Sequence, residues 1–273
     1  MPGRIQFSPS RFQSAPLPQT FLRIAETQIA LECSALDAAL GARLLPFQIP
    51  SSRAPDLRLR IELGDVSPTH ESAVEITRDG AITEIRRGDY HAILDGNGAR
   101  LTMTRIVDHA VSSFLRVWLS LHLRKRGGLL VHSACLERDG KAYVFAGKSG
   151  AGKTTIASMS MPEHRLLTDE ISILLPEPAR AFGTPFFGDL CIPGEPIALP
   201  LAGIFFIEQG AEPRATRMRT GEAQREMLRH ILSFEHEPGA AGALIDAAGG
   251  LLREVPAHRL VFDKSARLWE YIP

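Results

Sequence analysis

The sequence predicts a mixed fold of two units: a small N-terminal α+β domain over residues 21–104 and an α/β domain with a phosphate loop over residues 105–273, behind a flexible arm at residues 1–20. Three observations point to it. Residues 147–154 read Gly-Lys-Ser-Gly-Ala-Gly-Lys-Thr, a complete G-x-x-x-x-G-K-S/T pattern that follows directly on the apolar run Ala142–Ala146. Leu57–Leu63 alternates apolar and charged residues without a break, the period of a half-buried strand. Between Arg105 and Lys125 the period becomes helical, with Ile106, Val107, Ala110, Val111, Phe114, Leu115, Trp118 and Leu119 on one broad apolar face, which puts the junction near Arg105.

Taken in order, the first 18 residues are rich in Pro, Ser and Gln. Phe21–Ala25 and Ile29–Cys33 are expected as short strands around a turn at Glu26-Thr27, and Ser34–Leu45 as a helix capped by Ser34 and stopped by Pro46. In the alternating strand, Leu57, Leu59, Ile61 and Leu63 should face inward. Further strands are expected at Ala73–Thr77, Ile82–Arg86, His91–Leu94 and Arg100–Thr104, because Asp79-Gly80, Gly88-Asp89 and Asp95-Gly96-Asn97-Gly98 have the composition of hairpin turns. The long helix closes on Arg124-Lys125-Arg126-Gly127-Gly128, cations at the negative end of the dipole followed by a glycine stop.

Leu129–Leu136 then reads as a strand, Arg138-Asp139-Gly140 as a turn, and Ala142–Ala146 as the strand feeding the loop, with a helix from Lys153 to about Met161. Leu166–Leu175 is expected as one long buried strand interrupted by Asp169 and Glu170. Ala202–Glu208 reads as a core strand, Thr220–Leu232 as a helix opened by a Thr cap, and Val255–Phe262 as a final strand.

The loop's glycines let successive backbone N–H groups converge on one point, where the following helix adds its unpaired N–H groups and positive dipole end. Gly147, Lys148, Ser149, Gly150, Ala151, Gly152, Lys153, Thr154 and Thr155 are therefore the expected nucleotide-binding set, with Lys153 reaching the β- and γ-phosphates and the Thr154 hydroxyl on Mg²⁺. Asp169 and Glu170 sit in a run of Leu and Ile, where acids are costly to bury without a compensating cation. Consecutive strand residues point to opposite faces, so only one of the two can meet a metal unless the strand ends there. His132, in an apolar strand, is either a satisfied core residue or a group for proton traffic near neutrality. Asp189, in the glycine-bounded loop Gly183–Asp189, is a second metal ligand or a loop cap.

Lys plus Arg (31) balances Asp plus Glu (31), so overall charge favours neither nucleic acid nor an anionic membrane. No run is long and apolar enough to span a bilayer, and the scattered cysteines Cys33, Cys135 and Cys191 read as buried thiols, so a soluble cytoplasmic protein is expected. A homo-oligomer is compatible with all of this.

The stretch from Val131 to Ile173 resembles the catalytic domain of HPr kinase/phosphorylase and its serine-kinase relatives, which share a fold core with phosphoenolpyruvate carboxykinases. That family carries a histidine on a strand, a glycine-bearing turn, the phosphate loop, and a strand reading roughly H-R-L-V/I-A-D-D. These stand here as His132, Asp139-Gly140, Gly147–Thr154 and His164-Arg165-Leu166-Leu167-Thr168-Asp169-Glu170. Gly183–Asp189, Leu199–Gly210 and the ending from Arg259 to Glu270 are similar to the branch that accompanies peptide-modification systems. The resemblance implies that His132 and Asp169 line the site, with Asp169 the base toward a substrate serine, and that Glu170 helps to hold the metal; Lys153 joins the catalytic set and Thr154 the metal set from the loop motif itself, and Asp189 stands as a further metal ligand or a loop cap. Glu170 replaces the family's second Asp, and the Arg-Gly-rich segment of the bifunctional enzymes has no convincing copy here. The expectation is an ATP- and Mg²⁺-dependent kinase acting on a Ser or Thr of a protein or modified peptide, such as a lasso-peptide precursor. The alternatives are a non-catalytic ATP-binding regulatory module and a small-molecule, carboxykinase-like enzyme.

Overall fold

The computed structural model describes residues 17–34, 37–51, 53–66, 73–161, 163–235, 238–263 and 266–273. Most of the expected N-terminal arm lies outside these residues, as do Ala35 and Leu36 of the first expected helix. The fold is mixed α and β, with two large sheets.

The first sheet has eight strands. A hairpin of β1 (Gln19–Ile24) and β2 (Thr27–Cys33) turns through Ala25 and Glu26, so ordered pairing begins within the expected arm. β3 (Gln48–Ile49) pairs with β1 at the edge. β4 (Leu57–Leu63) lies parallel to both β2 and β8 (Gly98–Met103). The meander of β5 (Glu75–Asp79), β6 (Ile82–Arg87) and β7 (Tyr90–Asp95) joins β8 through the three turns that composition marked. Leu57, Leu59 and Ile61 are buried, but Leu63 is 63% exposed at the end of its strand, contrary to the alternation. Helix α1 spans Ala38–Leu44 and is capped by Asp37, not Ser34: the Asp37 Oδ1 accepts from the N–H of Ala39 (2.6 Å) and Leu40 (3.3 Å).

Helix α2 (Asp108–Arg124) connects the two sheets. Phe114, Leu115, Trp118 and Leu119 share one core cluster with Leu22, Leu59 and Leu101 of the first sheet and with Leu130, Ile171, Ile173 and Phe182 of the second. The glycine stop forms as expected, with Gly128 N–H on the Leu123 carbonyl at 2.9 Å. Of the basic run behind it, Arg124 pairs with Glu235 (2.5 Å) and Arg126 with Glu26, both acids lying outside the helix.

The second sheet contains β9 (Leu129–Arg138), β10 (Lys141–Ala146), β11 (Leu166–Thr168), β12 (Ile171–Pro176), β13 (Ala179–Phe182), β14 (Ala198–Gln209), β15 (Arg214–Arg217) and β16 (Ala257–Phe262). The path β10-β9-β12-β13-β14-β16-β15 is closed on itself by a parallel pairing of β10 with β14. The pleat of β10 sorts its side chains. Ala142, Val144 and Ala146 pack with helices α4 (Thr220–Leu228) and α5 (Pro238–Glu254), whereas Tyr143 and Phe145 pack with helix α3 (Lys153–Ser160) and the terminal 3₁₀ turn Ala266–Tyr271.

Three expectations are corrected. The long acidic strand is two strands, β11 and β12, with a bend at Asp169-Glu170. α4 has Arg219 at its N-cap with no side-chain hydrogen bond, so Thr220 does not cap it, and it ends at Leu228 because Ile231 and Leu232 turn away to bond β9. Cys33 and Cys135 are buried but Cys191 is exposed. Burial pushes the Cys135 thiol well up from its ordinary range, in keeping with an inert strand residue. Among the described residues no helix is long and apolar enough to cross a membrane.

Candidate phosphoryl-transfer site

β10 ends at Ala146, and the loop turns through Gly150 (φ 77°) and Gly152 (φ 111°) into α3. Position 152 needs glycine twice over. Its φ is unfavourable to any L side chain, and a Cβ there would lie 2.4 Å from the Phe262 ring. Gly152 caps α3 without a side chain, and the first intrahelical bond runs from Ile156 N–H to the Gly152 carbonyl (2.9 Å). The first-turn N–H groups at Lys153, Thr154 and Thr155 thus face forward, the arrangement that receives anions.

Lys153 is 7% exposed, and its ammonium donates to the carbonyls of Gly147 (2.9 Å) and Lys148 (3.2 Å). Burial lowers the pKa of this lysine, and the nearby Glu170 opposes the shift. The lysine is folded back on its own loop, with its charge satisfied by groups that a phosphate oxygen could replace.

The bend between β11 and β12 positions both acids. Thr168 Oγ1 accepts from the N–H groups of Glu170 and Ile171 (3.1 Å each) and donates to the Phe186 carbonyl (2.7 Å), which ends β11 and ties it to the loop that follows β13. Asp169 is 2% exposed; its Oδ1 accepts from Gly188 N–H (2.9 Å) and its Oδ2 from Leu190 N–H (3.1 Å). Glu170 is held by Arg116 of α2 in a two-pronged pair, Nη2 to Oε2 at 2.6 Å and Nη1 to Oε1 at 3.2 Å. Because the strand ends here, Asp169 and Glu170 border the same cavity despite being consecutive.

That cavity, about 430 Å³, is lined by His132, Ser149, Gly150, Gly152, Lys153, Thr154, Thr155, Asp169, Glu170 and Asp189, with Gly188 and Gln209 completing it. Gly147, Lys148 and Ala151 instead line a second cleft of about 390 Å³ on the other flank of the loop, beside Phe206, Glu226, His230 and Arg259. Sequence reasoning missed Arg116 and Gln209, whose Nε2 donates to the Gly150 carbonyl (3.1 Å). Arg116 could have been noticed as a lone cation among the apolar residues of α2. His164 and Arg165 of the resembling motif stand outside the cavity: His164 packs on Trp269, and Arg165 pairs with Glu137 (3.2 Å).

The His132 imidazole is pushed down to about 4, first by burial and then by the charges of Lys153, of His230 when protonated, and of Arg116. It is neutral at pH 7 and can offer a lone pair. An unfolded chain takes up this proton near the ordinary value of 6.5, so the unfolded state binds more protons between pH 6.5 and about 4, and folding stability falls as pH drops through that window. His230, His258 and His122 are shifted the same way by burial. Thermal melting between pH 7 and 4.5 should therefore show a shallower acid loss for His132→Asn than for the parent; identical slopes would refute this account of the imidazole.

A second arginine, on the first sheet's side, holds the segment that leads into the site. Arg43 of α1 donates to Asp108 from Nε (2.5 Å) and Nη2 (2.6 Å), gives Nη1 to the Pro185 carbonyl (2.9 Å), and lies 3.5 Å over the Phe187 ring. It anchors the segment leading to Gly188 and Asp189. Arg43→Met leaves Asp108 unpaired and should cost about 3 kcal/mol. Arg43→Lys, which keeps one charge contact, should recover part of this in urea denaturation; no difference between either variant and the parent would show that the anchor is idle.

The description "ScmC: SynChlorMet cassette protein ScmC" matches residues 104–273, which is more than half of the chain and includes α2, the phosphate loop and both acids. The chain belongs to the ScmC family. The first sheet lies outside the matched residues. No curated protein matches the chain.

Proposed function

We propose that the protein is an ATP- and Mg²⁺-dependent kinase that transfers the γ-phosphoryl group to a Ser or Thr hydroxyl of a protein or modified peptide. The observation that carries this reading is one cavity bordered on one side by the phosphate loop with Lys153 and Thr154 and on the other by Asp169, Glu170 and His132. Phosphoryl transfer asks for little else: phosphate neutralisation, a held metal and a group that orients or deprotonates the acceptor.

In this reading the loop N–H groups and Lys153 bind the triphosphate. The carboxylate of Asp169, fixed by two backbone N–H groups with a lone pair left on each oxygen, takes the proton of the acceptor hydroxyl. The acceptor oxygen bonds to the γ-phosphorus, the bond from that phosphorus to the β–γ bridging oxygen breaks, and ADP leaves. Neutral His132 lines the same cavity as Lys153, where it can accept a hydrogen bond without adding positive charge. Hard oxygen donors suited to Mg²⁺ border the same cavity at Thr154, Glu170 and Asp189, and these residues would hold the ion. Bound with ATP, Mg²⁺ would supply charge neutralisation for the transferred phosphoryl group.

The test is incubation with γ-labelled ATP and Ser- or Thr-containing peptides, each beside its Ala-substituted control. Label on the hydroxyl peptide alone is the expected result; tight ATP binding with no labelled peptide would favour a regulatory nucleotide-binding module.

A further inference from the structure

We propose that Arg116 is a cation of the phosphate pocket, a direct ligand of the γ-phosphate, whose place Glu170 fills in the nucleotide-free protein. The proposal rests on the nucleotide reading of the loop and adds a residue that the loop motif does not contain.

Arg116 stands in the middle of α2 between the buried Leu115 and Val117, yet its own side chain keeps 22% of its surface exposed. Its polar partners among the described residues are the two oxygens of Glu170, approached as a fork. The third kind of donor, Nε–H, is buried with no acceptor, and so is the Ser112 hydroxyl one turn earlier on the same helix. No neighbouring polar group therefore pins the guanidinium to α2. The Phe186 ring, 5.4 Å away, stacks loosely beneath it. A buried donor left without a partner is uncommon in native proteins and costs free energy until an acceptor arrives.

The fork that Arg116 presents to Glu170 is also the geometry with which arginine binds phosphate. Glu170 borders the same cavity as Lys153, whose ammonium is turned onto the carbonyls of Gly147 and Lys148, so the carboxylate gripped by Arg116 stands where the loop's lysine also faces. A tethered carboxylate taken by an arginine fork offers the same pair of anionic oxygens that a phosphate offers. An incoming γ-phosphate carries more charge than Glu170 and has oxygens to spare for both cations. Displaced from Arg116, Glu170 is free for the metal that accompanies the nucleotide, so one exchange would resolve how a single carboxylate can serve both partners.

The test compares Mg-ATP with Mg-ADP by titration calorimetry on the full chain, for the parent and for Arg116→Met and Arg116→Lys. Loss of a charge-assisted contact to the γ-phosphate should weaken ATP binding about 10- to 100-fold in Arg116→Met while ADP changes less than about threefold, with partial recovery in Arg116→Lys. Equal weakening of ATP and ADP, or no weakening, overturns the proposal. A parent protein that binds neither nucleotide is a different result and removes the nucleotide reading itself. Should Arg116→Met fail to fold, Glu170→Gln gives an independent answer in metal-free ATP: removing the resident anion should tighten binding several-fold, and unchanged or weaker binding overturns the exchange.

Discussion

Lys153→Ala is expected to abolish ATP binding, by about 100-fold or more, and to abolish transfer with it. The side chain is almost wholly buried at the head of α3, with its ammonium already drawn onto the carbonyls of Gly147 and Lys148. Those carbonyls are the weaker acceptors, so a phosphate can take the ammonium from them. Alanine leaves the loop backbone able to turn, because the turn depends on Gly150 and Gly152, but removes the ammonium at position 153. Burial disfavours that charge, so the effect of truncation on folding should be small, and calorimetric titration beside a thermal melt separates the two. A Lys153→Ala protein that binds ATP as the parent does would contradict the assignment of the loop.

Asp169→Asn should lose transfer by about 100- to 10,000-fold and keep ATP binding within about threefold. Asparagine preserves the shape of the side chain but cannot take a proton from a hydroxyl. Its amide also brings a donor where the carboxylate had two acceptors, one toward Gly188 N–H and one toward Leu190 N–H. Donor against donor at one of these contacts should cost about 1 to 3 kcal/mol. Asp169→Asn should accordingly melt earlier than the parent, and transfer must be read well below its melting temperature. Undiminished phosphorylation by the folded variant would remove Asp169 from the chemistry.

What was legible in the sequence was local. The phosphate loop is specified by eight consecutive residues and by the strand before them, and it folds as that pattern requires. The hairpins after Asp79, Arg87 and Asp95 were equally local, because Gly80 and Gly96 supply the positive φ that such turns use. The acid pair was read correctly as chemically costly but incorrectly as the interior of one strand. Thr168, whose hydroxyl ties off β11, turns both acids to one cavity, and nothing in the apolar run announced that role. α5 went unread because Gly239, Gly242, Gly249 and Gly250 weaken its helix signal, which its packing on α4 and on Leu174 and Val131 offsets. Arg116 and Arg43 meet their partners across 54 and 142 residues of chain, a separation at which no pattern of neighbours helps. Leu22, Leu59 and Leu101 of the first sheet share a core with α2 and β12. Deleting residues 21–104 would open that core, so point changes at Arg43 and Arg116 are the cleaner probes of how the two sheets cooperate.

The central claim is that the cavity between the phosphate loop and Asp169 moves a phosphoryl group to a hydroxyl. Phosphorus NMR of the parent protein with Mg-ATP and a Ser- or Thr-containing peptide tests it most directly. The account predicts that the γ-phosphate resonance declines while a phosphomonoester resonance and ADP grow in equal amounts. ATP that is bound but persists unchanged, or that yields only inorganic phosphate, would contradict it.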